Sequence, residues 1–207
     1  MIKNITSNVW KFYFGNFGSN CYLVKTENKN ILIDTSGEEN RKKLISDLRE
    51  ININPQSINI ILLTHIHYDH IGNISVFKNA GVYASEEEIA DFRKQPFNAV
   101  LNENFIEKRI EGEGKTKPTF EFVKIRGIKI ESIKNLKLKS IKPIKVQGHT
   151  RGSIAFFMPK ERILFSGDTL FEEGIGRTDL PTSTPEKMDN SLRRLKKISY
   201  KFLCAGH

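Results

Sequence analysis

The spacing of hydrophobic and polar positions changes period several times along the chain, and each change marks an element. Residues 11–14, 20–26 and 30–34 are short runs rich in branched and aromatic side chains, separated by Gly15-Asn16-Phe17-Gly18 and Glu27-Asn28-Lys29-Asn30. Such runs between turn residues predict an opening set of antiparallel strands. Residues 38–48 shift to a helical period, with Leu44, Ile45 and Leu48 on one side. The apolar run 58–63 is too short for an independent helix and reads as a buried strand. Ser85-Glu86-Glu87-Glu88 has the capping-box pattern and predicts a helix that ends before Pro96. Phe97, Leu101 and Phe105 predict a short helix over a cleft, and residues 112–118 a loop. Further strands are predicted at 120–125, 128–131, 136–138, 154–158 and 162–165. A last helix starts at Ser183-Thr184-Pro185-Glu186, with Met188, Leu192 and Leu195 as a core stripe. Two groups of strands, each with helices, imply an α+β fold with two sheets. No repeat or linker divides the chain, so residues 1–207 are expected to form a single domain, large enough to bury its own core.

The chain has five histidines, and three of them are packed with an aspartate into His65-Ile66-His67-Tyr68-Asp69-His70. This hexapeptide lies in the turn after the buried strand. His65 and His67, two apart in an extended segment, point the same way, and Asp69 and His70 follow as the chain turns. Imidazole is the commonest protein ligand for metals such as zinc, and two ions sharing one site need about four protein groups each. The hexapeptide supplies four; the alternative is a solvated polar turn. His149 sits in the glycine-bracketed turn Gly148-His149-Thr150-Arg151-Gly152-Ser153, and Asp168 in Ser166-Gly167-Asp168-Thr169 at the end of another strand. Alone, they read as a structural histidine and a turn or capping aspartate. Beside the hexapeptide they read as further ligands.

These motifs resemble those of the metallo-β-lactamase-fold hydrolases. Five occur in order: Asp34-Thr35-Ser36-Gly37, the Thr-His-x-His-x-Asp-His-x-Gly stretch from Thr64 to Gly72, Gly148 to Ser153, Ser166 to Phe171, and Gly206-His207. The resemblance spans residues 20–207. Within the superfamily, Gly176-Arg177-Thr178-Asp179-Leu180-Pro181 is similar to the short glyoxalase II-like (hydroxyacylglutathione hydrolase-like) branch. Persulfide dioxygenases carry a similar Gly-Arg-Thr-Asp segment.

The resemblance implies a four-layer αββα sandwich. It also implies two divalent metal ions, with zinc expected and iron or manganese suited to the same nitrogen and oxygen donors. His65, His67 and His149 match the first-metal ligands, Asp69, His70 and His207 the second-metal ligands, and Asp168 the bridging carboxylate. The implied activity is that of a binuclear thioester hydrolase of glyoxalase II type using a metal-bridging hydroxide, with Asp69 orienting the nucleophile and accepting its proton. Arg177 is the candidate contact to an anionic substrate, with pairing to Asp179 as the structural alternative. The resemblance does not extend to the helical C-terminal domain with which full-length glyoxalase II helps bind glutathione, so it implies no glutathione specificity. Two other readings use the same residues. One is a persulfide dioxygenase with a single iron on His65, His149 and Asp168 or on His65, His67 and His149; the other is a non-catalytic metal-binding module.

The formal charge of +9 introduces nucleic-acid processing as a further class. Its lysines, Lys124, Lys129, Lys134, Lys137, Lys139, Lys142 and Lys145 among them, alternate with apolar residues as on the outer faces of strands. That pattern predicts a solvated basic surface that attracts small anionic substrates rather than a nucleic-acid partner. No apolar stretch has transmembrane length, and the N-terminal residues lack a signal-peptide core, so no membrane partner and a cytoplasmic location are expected. Cys21 and Cys204 are expected to be reduced and semi-buried, and to take no part in ligation.

Overall fold

A computed structural model describes residues 1–15, 18–101 and 127–207. Strands β1 (Ile2–Thr6), β2 (Val9–Phe12), β3 (Cys21–Lys25), β4 (Asn30–Ile33), β5 (Ile58–Leu62), β6 (Gly81–Ala84) and β7 (Ile130–Ser132) lie side by side in chain order in one sheet. The first four pair antiparallel, and β4 to β7 pair parallel. Parallel neighbours need crossovers. They come from α1 (Arg41–Glu50) after β4, the single turn α2 (Tyr68–Ile71) after β5, and α3 (Glu86–Lys94) with α4 (Pro96–Val100) after β6. A second sheet holds β8 (Lys142–Lys145), β9 (Ile154–Met158), β10 (Ile163–Gly167) and β11 (Phe202–Ala205) in the order β11-β10-β9-β8. Helix α5 (Pro185–Lys196) returns the chain so that β11 runs parallel to β10.

The two-residue period of the strands sorts their side chains between layers. Tyr22, Val24, Ile31, Ile33, Ile60 and Leu62 face the second sheet, where they meet Ile154, Phe156, Met158, Ile163, Phe165 and Cys204. Burying each large apolar side chain there contributes roughly 1.5–3 kcal/mol. The alternate residues Leu23, Leu32 and Ile61 face the other way, onto Leu44 and Leu48 of α1 and Ile89 and Phe92 of α3. Beyond the second sheet, Ala155 and Leu164 pack with Leu195 of α5. The layers therefore run helix, sheet, sheet, helix: the αββα sandwich of the metallo-β-lactamase fold. Because β5 is covered on both faces, it reads as a nearly unbroken apolar run.

The departures from the sequence reading have local causes. The strand expected at 11–14 lies two residues earlier, as β2, and is preceded by the half-exposed β1 that the pattern did not reveal. The short β6, led by a glycine, was also unpredicted. The strand expected at 128–131 is the shorter β7, which begins two residues later and ends one later. Residues 136–138 are not a strand. Ser132 caps the 3-10 turn Ile133–Asn135 by accepting from Lys134 N, and Leu136 and Leu138 then pack against the edge of the sandwich core without joining a ladder. Their alternation served side-chain burial alone. Pro96 does end α3 but opens α4, where its missing N–H costs nothing in the first turn. Ala99 and Val100 of α4 are buried in the helix-side core. The expectations for Phe105 and for residues 112–118 and 120–125 fall outside the described residues. Cys21 and Cys204 are free and fully buried, on opposite faces of the first sheet's core. Among the described residues no helix is long and apolar enough to cross a membrane.

Candidate metal centre

The predicted ligands converge on one edge of the sandwich, beyond the C-terminal ends of β5, β10 and β11 and in the loop between β8 and β9. The entry from β5 is shaped by Asp34, the residue after β4, which takes a left-handed conformation at φ 55°. Its carboxylate accepts Thr64 N at 2.8 Å, the Thr64 hydroxyl at 2.7 Å and His70 Nδ1 at 2.9 Å. Thr64 Oγ1 also lies 3.0 Å from His65 Nδ1. One buried carboxylate thus sets the start of the hexapeptide and the ring of its last histidine. Two glycines allow the strand ends to close in. A Cβ on Gly167 would lie 2.7 Å from Thr64 Cβ, and one on Gly206 would lie 2.0 Å from Asp168 Oδ1.

Three groups of side chains could each hold an ion: His65, His67 and His149; His65, His70 and Asp168; and Asp69, His70 and His207. Within each group the ligand atoms lie within 4.8 Å of one another. In the first group the ring centroids of the three histidines stand 4.5–4.8 Å apart, and His149 Nε2 is 3.0 Å from His67 Nδ1. His149 Nδ1 is 2.8 Å from the carbonyl of Arg177; donating there leaves Nε2 with a lone pair for a metal. Asp168 reaches both sides. Its Oδ1 is 3.3 Å from His70 Nε2, and its Oδ2 is 3.7 Å from His149 Nε2 and 3.4 Å from His207 Nε2. Asp69 Oδ2 lies 3.1 Å from His207 Nε2 and 3.7 Å from His70 Nε2.

These spacings suit metal ligation. Ligand bonds of 2.0–2.1 Å in a tetrahedron put neighbouring ligand atoms about 3.3 Å apart. His65 Nε2 and His67 Nε2 are buried without hydrogen-bond partners, a costly state for polar atoms with no ligand to meet. The donor set is nitrogen and oxygen throughout, which suits zinc, iron and manganese alike.

Charge divides the cluster. Burial, reinforced by the neighbouring imidazoles, pushes His65 well below the usual histidine range and His67 down to about 3. Burial lowers His149 too, against the pull of Asp168. On the other side burial opposes charge, but carboxylates outweigh it. Asp168, Asp69 and Asp34 raise His70 well above its ordinary value, and hydrogen bonds with Asp168 and Asp69 raise His207 to about 9. Burial would raise both aspartates, yet His70 and His207 hold Asp69 low and Asp168 lower still.

Arg177 is brought to the centre through its main chain. Its guanidinium instead pairs with Asp179 at 3.0 and 2.9 Å, both side chains being largely exposed. Several supporting residues had no role in the sequence reading. Ser19 donates to the carbonyl of Asp69 at 2.6 Å, and Asn20 and Tyr22 donate to the carbonyl of Ala205 at 3.1 and 2.6 Å, tying the hexapeptide and the strand before His207 to the start of β3. Asn73 donates to the carbonyls of Thr35 and Gly37. Glu88, 2% exposed, accepts from the backbone at Ile66 and Gly152; burial pushes its carboxyl up to about 7 against these donors and Thr150. Asp34 and Thr64 lay in motifs that could have flagged them, whereas the capping box that contains Glu88 signalled only a helix start.

Hydroxyacylglutathione hydrolase GloC of Haemophilus influenzae is 31% identical over 188 residues, covering 86% of this chain and 78% of that protein. The hydroxyacylglutathione hydrolase of Prochlorococcus marinus is 33% identical over 164 residues, 73% of this chain and 53% of that protein. A solved structure of TTHA1623 in a di-iron-bound form shares the fold at a TM-score of 0.70 and 27% identity, covering 95% of this chain and 91% of that one. The sequence model of the Metallo-beta-lactamase superfamily matches residues 14–207, and with the αββα sandwich and the clustered histidines and aspartates in place, the chain belongs to that superfamily of metal-dependent hydrolases.

Proposed function

We propose that the protein is a glyoxalase II-like thioesterase that binds two divalent ions, zinc in the first instance, and hydrolyses a small anionic thioester. The observation that carries this reading is the two-sided ligand cluster joined by Asp168, whose oxygens lie within 3.3–3.7 Å of His70, His149 and His207. His65, His67 and His149 would hold the first ion, Asp69, His70 and His207 the second, and Asp168 both. Two such ions would supply Lewis acidity, a lowered pKa for water and net positive charge to favour an anionic tetrahedral transition state.

The chain's own groups do the rest. Asp69 is held through its carbonyl by Ser19, and its side chain, 32% exposed, is the most open carboxylate of the cluster. Kept ionised by His70 and His207, it orients the attacking water and accepts its proton. Asp34 and Thr64 hold the rings of His70 and His65. Arg177 meets an anionic carrier by leaving Asp179, which its exposure allows. The reading includes a cytoplasmic protein, supported by two unpaired buried thiols. It also takes residues 1–207 as one domain, supported by buried clusters that share one pair of sheets.

The test combines elemental analysis of protein purified without added metal with two assays, hydrolysis of S-lactoylglutathione and related thioesters, and oxygen uptake with glutathione persulfide. Two metal equivalents with thioester hydrolysis are expected. Stoichiometric oxygen uptake with one iron would move the protein to the dioxygenase reading.

A further inference from the structure

Glu88 sits in the first turn of α3, buried, and its hydrogen bonds go to Ile66, Thr150 and Gly152 rather than to a candidate ligand. Its oxygens meet the backbones that carry them. Oε2 accepts the N–H of Ile66 at 3.0 Å, the residue between His65 and His67. Oε1 accepts the N–H of Gly152 at 3.1 Å and the hydroxyl of Thr150, the residue after His149, at 2.5 Å. Thr150 is itself closed onto Ser153, with Oγ to Oγ at 2.6 Å and Thr150 N to Ser153 Oγ at 3.1 Å. The approach is close enough to require glycine, since a Cβ on Gly152 would lie 2.6 Å from Glu88 Oε1 and 2.5 Å from Ser85 Oγ. One turn along α3, Asp91 accepts twice from Arg151 at 3.1 and 2.7 Å, so the same helix face grips the loop again. Burying a carboxylate among neutral donors is unfavourable for stability. What it supplies is a rigid link between two segments far apart in the chain.

We propose that Glu88 is a positioning residue for the first metal half-site, fixing His65 and His67 relative to His149 by holding both supporting backbones on one side chain. The inference rests on the reading of those three histidines as metal ligands. A glutamine at 88 has one acceptor oxygen where the carboxylate has two, so either Ile66 N–H or Gly152 N–H is left facing an amide NH2.

The experiment is competitive zinc and cobalt titration of the full chain, with cobalt absorption spectra, alongside amide exchange of the metal-free protein. Glu88→Gln is expected to weaken the tighter site by about 10- to 100-fold, the usual effect of losing a partner behind a ligand, with the weaker site within about twofold and a changed cobalt spectrum. In the metal-free variant the amide of Ile66 or Gly152 should exchange faster while Leu32 and Ile61 in the sheet keep their protection. Thr150→Val, which removes one donor and leaves the carboxylate, should weaken the same site by about tenfold or less. It carries the test if Glu88→Gln does not fold. Lys94→Gln, exposed at the last residue of α3, should change neither site. Unchanged tight-site affinity in both Glu88→Gln and Thr150→Val overturns the proposal, as does equal loss at both sites with faster exchange throughout the sheet. A wild-type protein that binds no metal through His65, His67 and His149 would instead sink the functional reading beneath it.

Discussion

The two halves of the ligand cluster share one edge of the sandwich and a common carboxylate, yet burial has acted on them in opposite directions. His65, His67 and His149 are at most 4% exposed and have few carboxylates at hand, so they are held neutral, the form in which imidazole binds metal. His70 and His207 lie among Asp34, Asp69 and Asp168, which shift both toward the protonated form, with the His207 side chain 37% exposed. The first half offers neutral imidazoles that a cation could meet directly. In the second, a cation would have to displace protons.

The largest expected effect comes from breaking the prepared half. His67→Ala removes one of three imidazoles from the residue just before α2, where the side chain makes no capping bond and lies outside the apolar core, so hydrolysis should fall below detection while circular dichroism and the thermal midpoint stay near wild type. Near-normal turnover would show that the first half is not the centre of the chemistry.

Asp34→Asn sharpens the contrast from behind the ligands. The asparagine oxygen can still accept Thr64 N, but its NH2 would face His70 Nδ1, moving the imidazole proton to Nε2, the atom that meets Asp168. Affinity for the second ion should fall about 10- to 100-fold, and affinity for the first by less. Isothermal titration with zinc separates the two, and equal losses would mean that Asp34 supports the whole cluster through Thr64.

A smaller effect per step is expected from pH. With His207 raised to about 9 and His70 also raised, binding a second ion would release protons at neutral pH, whereas His65, His67 and His149 are all shifted down, toward the neutral form that has no proton to give. Lowering pH from 8 to 7 should therefore weaken the second ion about tenfold for each proton displaced and leave the first nearly unchanged. For the same reason the second ion should leave first on dialysis against a chelator. Two sites with the same pH slope and the same chelator sensitivity would erase the distinction.

The smallest change is at Arg177, outside both halves. If its guanidinium leaves Asp179 to meet an anionic substrate, Arg177→Ala raises KM several-fold with kcat little changed, the signature of lost uniform binding. A loss in kcat alone would assign the residue to holding the loop whose carbonyl faces His149.

What could be read in the chain was what local chemistry writes there. Five histidines with three in one hexapeptide, a glycine beside His149, Asp168 and His207, and a buried apolar run before His65 are short-range patterns, and each survived folding with its neighbours. The alternation at 136–138 was equally local and misled, because packing two leucines against the core leaves the same pattern as a strand.

The supporting contacts have no such signature. Asp34 serves Thr64 and His70, Ser19 serves Asp69, and Glu88 serves Ile66 and Gly152, each across a wide separation in the chain. A polar residue at a strand end or helix start is ordinary until a distant backbone N–H is brought to it. The sequence by itself determined which atoms could bind metal and the α+β class that carries them. Only the tertiary structure decided how those atoms are aimed and charged, because burial and long-range hydrogen bonds exist only once the two sheets have closed on each other.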